Sequence, residues 1–234
     1  MRLRKALLMI HGFAGGTYDE EELANYLRLN TRYDIYQFTL PGHEGYIRHK
    51  KYQEWIKKSE DMIKMLMDNG YSRIYLLGHS MGAVIATYLA GKYPEVKKLV
   101  LASPAFQYLK AEDNKLKIRD SIKTTPKIVK TYGTSILIDR AFKSGINSAK
   151  EFTALVREYY NTPSLVNCPT LIIQGKNDNI VPLSSAQYVY DNLSSKTKKI
   201  VYFDEATHDI FRGKEKKQIY ETIKNFLGSI EGGF

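Results

Sequence analysis

Residues Gly78-His79-Ser80-Met81-Gly82 constrain this chain more than any other stretch. They follow a short apolar run, Arg73 to Leu77, and precede a helical pattern from Ala83 to Pro94. A Gly-x-Ser-x-Gly pattern between a predicted strand and a predicted helix describes a sharp turn with the serine at its tip. Such a turn strains the backbone of its central residue, and small residues on either side let strand and helix approach. The serine oxygen is then exposed. The Met81 N–H, at the helix start, faces any anion that develops there. The five-residue pattern alone recurs by chance in about one chain in ten of this length, so its surroundings must carry the argument.

The surroundings repeat one unit. Apolar runs at Lys5 to Ile10, Tyr33 to Leu40, Arg73 to Leu77, Lys97 to Ala102, Pro169 to Gln174 and Lys199 to Phe203 read as strands. Helical spacing lies between or after them. Thr17 is placed to cap a helix through Leu29, Tyr52 to Asp68 forms a second and Asn69-Gly70 ends it. Further helices are expected at Ser184 to Leu193 and Lys214 to Ile230. Strands alternating with helices over short loops demand a mostly parallel sheet with helices on both faces. Residues 104–168 break the rhythm, being far longer than one crossover helix needs. Amphipathic fragments near Ala111 to Ile122, Pro126 to Tyr132 and Lys150 to Tyr160 suggest an inserted helical cap. It leaves the sheet at the carboxyl ends of the strands, where ligands bind in open α/β sheets. The expected division is a core of 1–103 and 169–234 with the cap between.

A serine hydroxyl is a weak nucleophile without a base. His208 lies after the sixth strand and before the last helix, in a loop at the same sheet edge as Ser80. Asp178 lies after the fifth strand, again at that edge. Asp204 and Glu205 are also near His208, but too close along the chain to reach its far ring nitrogen easily. The order Ser80, Asp178, His208 is that of a nucleophile, an orienting carboxylate and a general base. An acyl-transfer site also needs two oxyanion donors. Met81 N–H is one candidate and Phe13 N–H, in His11-Gly12-Phe13 after the first strand, is the second.

These stretches, with Pro41-Gly42-His43 and Gly175-Lys176-Asn177-Asp178 through Val181-Pro182, fall in order across nearly the whole chain. In them the chain resembles the α/β-hydrolases, in particular small bacterial carboxylesterases and monoacylglycerol-lipase-like hydrolases. The resemblance implies an α/β-hydrolase fold, with a mostly parallel sheet of about six strands, helices on both faces and an inserted helical cap. It implies Ser80 as nucleophile, His208 as general base and then acid, Asp178 as orienting carboxylate, and Phe13 and Met81 as backbone oxyanion donors. The expected activity is a serine carboxylesterase cleaving esters of short to medium acyl chains. Thioester, carbon–carbon and peptide bonds remain open on the same residues, as does a non-catalytic binding protein. Thr207 departs from the glycine usual before the histidine. The chain also begins at the strand that is third in the full family sheet, hence the expectation of six.

Composition limits the alternatives. The 234 residues, 43% of them apolar, suit one domain with a real core. No apolar stretch is long enough to span a membrane. Met1 to His11 has the look of a signal peptide, but its apolar part is short and runs into a Gly-rich loop, so it reads as the first strand. A single cysteine, Cys168, points to packing and to a reducing, cytoplasmic setting. The net charge of +10 raises the question of nucleic acid. Its basic residues are scattered, with no aromatic-interleaved stripe, so a solvated surface and a small-molecule ester partner are expected instead. About half the excess falls between Pro104 and Asn167, which hold 11 Lys/Arg against 6 Asp/Glu. No cluster has metal-ligand spacing, and Gly12, Gly15 and Gly16 lack the residues of a phosphate loop, so neither metal nor cofactor is expected. His11 and His79 are expected to brace their loops, and His43 and His49 to pack at a loop or the surface. Phe106, Tyr108, Tyr132, Phe142 and Tyr159 are candidate acyl-pocket or cap-packing residues.

Overall fold

The structure, a computed structural model, describes residues 4–44, 48–107 and 145–229. Six strands form one sheet: β1 (Lys5–Ile10), β2 (Asp34–Gln37), β3 (Arg73–His79), β4 (Val96–Ala102), β5 (Thr170–Gly175) and β6 (Lys198–Phe203). Their order across the sheet is β2-β1-β3-β4-β5-β6 and every pair is parallel. Parallel neighbours need a crossover on one face or the other, and five helices supply them in the described residues: α1 (Glu21–Asn30), α2 (Tyr52–Asp68), α3 (Met81–Lys92), α4 (Gly145–Glu158) and α5 (Leu183–Asn192). The last helix, α6 (Lys216–Gly228), follows β6. None of the described helices is long and apolar enough to cross a membrane.

The strand period of two builds two cores from one sheet. Ala6, Leu8 and Ile10 of β1, with Leu76 and Leu99, pack beneath Trp55, Ile63, Val84 and Val189 from α2, α3 and α5. Leu7 and Met9, with Leu77 and Val100, face Leu23, Leu27, Ile219 and Ile223 from α1 and α6. Strands buried on both faces read as continuous apolar runs, which is why they are visible in the sequence.

Three expectations are corrected. Thr17 does not cap α1. Asp19 Oδ2 accepts from Gly16 N–H at 3.1 Å, which closes a short 3-10 turn over Thr17–Asp19, and the helix starts only after Glu20. The second strand ends at Gln37 rather than Leu40, because Leu40 N–H leaves the ladder and donates to His11 Nε2 at 3.0 Å. The helix expected at Lys150 to Tyr160 begins earlier and closes at Glu158. Fragments Ala111 to Ile122 and Pro126 to Tyr132 lie outside the described residues. The close of α2 is as expected, with Gly70 N–H donating to Met67 C=O and Tyr71 N–H to Leu66 C=O.

Lys98 was not foreseen. It sits fully buried in the middle of β4. Its ammonium donates to the C=O groups of Phe226 at 2.6 Å and Ser229 at 2.8 Å, and to Ser229 Oγ at 2.8 Å. It thereby satisfies carbonyls that the end of a helix leaves unpaired and meets the negative end of the helix dipole. Lys98→Met keeps the stem and removes the head. We expect a loss of about 2 kcal/mol and a Tm lower by about 4–8 °C, read by thermal unfolding, with α6 becoming protease-sensitive.

Candidate active site

The chain runs from β1 outward to β2 and then returns to the other side of β1 for β3, so successive loops diverge between β1 and β3. In open α/β sheets that divergence opens a crevice at the carboxyl edge. The loop after β1 and the turn after β3 meet there. A Cβ placed on Gly12 would lie 3.1 Å from Ser80 Cβ, so a larger residue at position 12 would press on the serine. Gly82 is more tightly constrained. A Cβ there would fall 2.0 Å from the Ile10 carbonyl oxygen and 2.6 Å from that of His11, both backbone atoms of the strand end. Gly82→Ala must therefore push α3 off β1. We expect a cost of about 3 kcal/mol and a Tm lower by about 6–12 °C, with little soluble protein at 37 °C.

Ser80 itself has φ 55° and ψ −116°, a strained conformation for a residue with a side chain. Its N–H donates to Ala102 C=O at 2.9 Å, which anchors the turn to the end of β4. Ser80 Oγ donates to His208 Nε2 at 3.0 Å, and His208 Nδ1–H donates to Asp178 Oδ2 at 2.8 Å. The three side chains singled out in the sequence are thus in one hydrogen-bonded line. Asp178 Oδ1 accepts from the N–H groups of Ile180 at 2.9 Å and Val181 at 2.8 Å. Burial opposes ionisation of Asp178. The charge and hydrogen bond of His208, together with the two backbone donors, outweigh it and hold the carboxyl below the usual carboxylate range. Thr207 lies exposed and has no positive φ, so the loop does not require the glycine usual there.

The oxyanion donors expected from the sequence share this corner. Met81 N–H is the first of the unpaired donors at the start of α3. Phe13 N–H belongs to the same peptide as Gly12 C=O, and a trans peptide points the two in opposite directions. Gly12 C=O accepts from His11 Nδ1–H at 2.8 Å and from Gly15 N–H at 3.2 Å. Two donors on that carbonyl fix the plane that aims the Phe13 N–H. Since Leu40 N–H occupies His11 Nε2, the tautomer of His11 is set. Burial, then the neighbouring His43, lowers the His11 pKa to about 3.

His79 braces more than its own turn. Its Nε2–H donates to the backbone C=O of His208 at 3.0 Å, so it holds the main chain of the histidine whose ring Asp178 orients. Burial and the neighbouring His208 bring the His79 pKa down to about 3. His11 and His79 therefore stay neutral in the fold, while the unfolded chain protonates them near pH 6.5. Their contribution is complete above that pH and is lost as pH falls toward 3, by up to about 1.4 kcal/mol per pH unit for each. Urea midpoints should hold from pH 7.5 to about 6.5 and decline from there to pH 4, and a flat profile would contradict this.

The remaining candidates pack. His43 is buried among the rings of His11, Phe13 and Trp55, and His49 is exposed. Burial pushes the Cys168 thiol up to about 12, away from any nucleophilic use. Phe106 is buried against Tyr188, and the half-buried Tyr159 ring lies 4.5 Å from that of Tyr88. Tyr108, Tyr132 and Phe142 lie outside the described residues. Two contributions were missed. Phe152 of α4 stacks on Phe13 at 5.3 Å and brings that helix against the loop that carries Phe13. Gln174 Nε2 donates to Asp178 Oδ2 at 3.0 Å. A polar residue ending the apolar run Leu171-Ile172-Ile173 was the available signal for it.

Known proteins share this arrangement of chain. The carboxylesterase of Bacillus subtilis is 25% identical over 97% of this chain and 94% of its own length. The thermostable monoacylglycerol lipase of Bacillus sp. strain H-257 is 22% identical over 97% of this chain and 91% of its own. The crystal structure of the Paleococcus ferrophilus monoacylglycerol lipase superposes with a TM-score of 0.72 at 18% identity, covering 94% of this chain and 93% of that one, and attests the fold. The family Hydrolase_4, described as serine aminopeptidase, S33, matches residues 2–215. With that match spanning nearly the whole sheet and all of its carboxyl-edge loops, the chain belongs to the Hydrolase_4 family and is an α/β-hydrolase.

Proposed function

We propose that the protein is a carboxylic ester hydrolase in which Ser80 is the nucleophile, His208 the general base and acid, and Asp178 the orienting carboxylate. The observation that carries the reading is the line of contacts from Ser80 Oγ through both ring nitrogens of His208 to Asp178, at 3.0 and 2.8 Å. Ser80 Oγ attacks the ester carbonyl as His208 Nε2 takes its proton. Asp178 keeps the other proton on Nδ1 and stabilises the imidazolium without accepting the proton. The carbonyl oxygen, now an anion, turns toward the N–H groups of Phe13 and Met81, each such donor contributing about 3 kcal/mol. His208 then protonates the leaving alkoxide, and the acyl group remains on Ser80. Water enters and its oxygen attacks the acyl carbon as His208 takes a proton from it; the bond from the acyl carbon to Ser80 Oγ then breaks, His208 returns the proton to Oγ, and the acid leaves.

Esters of short to medium acyl chains are the substrates in the proposal, monoacylglycerols among them, and most of the cap expected at residues 104–168 lies outside the described residues. Relatives named carboxylesterase and monoacylglycerol lipase favour an ester over a peptide bond, although the family description speaks of an aminopeptidase. A panel of p-nitrophenyl esters of increasing chain length beside aminoacyl p-nitroanilides tests this. Turnover should be confined to the esters, and a fluorophosphonate probe should label Ser80. Turnover of the anilides alone would replace the ester reading with a peptidase, and an unlabelled Ser80 would end the catalytic one.

A further inference from the structure

We propose that Gln174 is a positioning residue for Asp178, its side-chain amide holding the carboxylate oxygen that His208 uses. The inference rests on the roles of Ser80, His208 and Asp178 just proposed. Gln174 lies near the carboxyl end of β5 and is fully buried. Its Nε2 is 3.0 Å from Asp178 Oδ2, 3.3 Å from Val181 O and 3.4 Å from Gly175 O. All three neighbours are acceptors, so the amide nitrogen and not its oxygen must face them. At the other end Oε1 is buried with no donor among the described residues. Leaving a buried acceptor unpaired costs stability, and an apolar side chain of similar shape would fill the space without that cost. Stability is therefore a poor reason for a glutamine here.

Orientation of the carboxylate is a better one. Asp178 Oδ1 is pinned by the N–H groups of Ile180 and Val181. Oδ2 takes His208 Nδ1–H and Gln174 Nε2–H. Without Gln174, the donor left to Oδ2 among the described residues is the imidazole that Asp178 is there to orient. The carboxylate would then be free to follow the ring. Donation to the carboxylate also favours its ionised form, which keeps the Nδ1 proton on His208. Among the described residues, the titratable group facing the pair from another element is His79 of β3, neutral in the fold, its ring 5.1 Å from that of His208, while Arg212, in the loop that carries His208, acts on His79 and is paired with Asp19.

Two variants separate positioning from packing. Gln174→Met fills the space and removes the donors. Gln174→Glu restores a donor only while its carboxyl is protonated, which burial beside a second carboxylate favours at low pH. Ester turnover is read at saturating and limiting substrate, with Tm and fluorophosphonate labelling of Ser80 measured in parallel. We expect Q174M to lower kcat about tenfold with KM and Tm little changed. Relative to wild type at the same pH, Q174E should regain at least half of the kcat at pH 5.5. Wild-type kcat in Q174M, a loss expressed in KM instead, or a loss that Q174E does not regain at pH 5.5 would overturn the proposal. If Q174M does not fold, the Q174E result at pH 5.5 decides alone. Absence of labelling and turnover in the wild type would instead overturn the reading of the site on which this rests.

Discussion

Replacing Ser80 by alanine is expected to lower kcat by about 10⁶-fold, leaving the roughly 10³–10⁴-fold residual that oxyanion donors and binding supply. The proposed nucleophile has no substitute in this geometry. His208 Nε2 lies 3.0 Å from Ser80 Oγ, and no second hydroxyl or thiol is hydrogen-bonded to it among the described residues. The substitution should leave the fold intact. The strained backbone at φ 55° already carries a Cβ, and alanine adds nothing to that strain. Tm should therefore move by no more than about 2 °C. Active-site titration with a fluorophosphonate and steady-state ester turnover, run on both proteins, are the measurements. Turnover within a hundredfold of wild type in a preparation free of contaminating esterase would reject Ser80 as nucleophile.

Asp178→Asn is expected to cost about 10⁴-fold in kcat, for a reason written in the donors around it. Oδ1 receives two backbone N–H groups, and Oδ2 receives His208 Nδ1–H and Gln174 Nε2–H. Whichever way an asparagine is turned, its NH₂ meets donors. The relief available is for His208 to move its proton from Nδ1 to Nε2, which turns the base toward Ser80 into a donor. The same carboxylate leaves a mark on stability. Its pKa in the fold lies below the value of about 3.9 expected of the unfolded chain. Its contribution is therefore complete above that pH and disappears as pH falls through the folded value. Urea midpoints at pH 6 and pH 3 should show the wild type losing part of this increment, an added loss that Asp178→Asn lacks. Equal acid sensitivity in the two proteins would contradict the depressed pKa.

Much of this molecule is legible in one dimension because its signals are local. Continuous apolar runs such as Leu7 to Ile10 and Leu171 to Ile173 announce strands covered on both faces, and the helix Tyr52–Asp68 is bounded by its own spacing and by Asn69-Gly70. The tight turn around Ser80 follows from five consecutive residues. Boundaries were less legible where a side chain competes for the backbone. Asp19 captures Gly16 N–H and delays α1, and His11 captures Leu40 N–H and shortens β2.

The sequence by itself determined the alternation of strands and helices, the tip position of Ser80 and the identity of a histidine and a carboxylate in loops at the right edge. Each of these depends on neighbours a few residues away. Only the tertiary structure decided that Ser80 and His208, 128 residues apart, would meet Asp178 within hydrogen-bond reach. It alone decided that His79 would hold the His208 carbonyl, that Gln174 would turn its amide nitrogen toward Asp178, and that a lysine inside β4 would cap α6. These contacts join groups brought together by packing of the sheet. Their polar atoms must find partners once buried, and which partner each finds is a property of the folded surroundings and not of the adjacent residues.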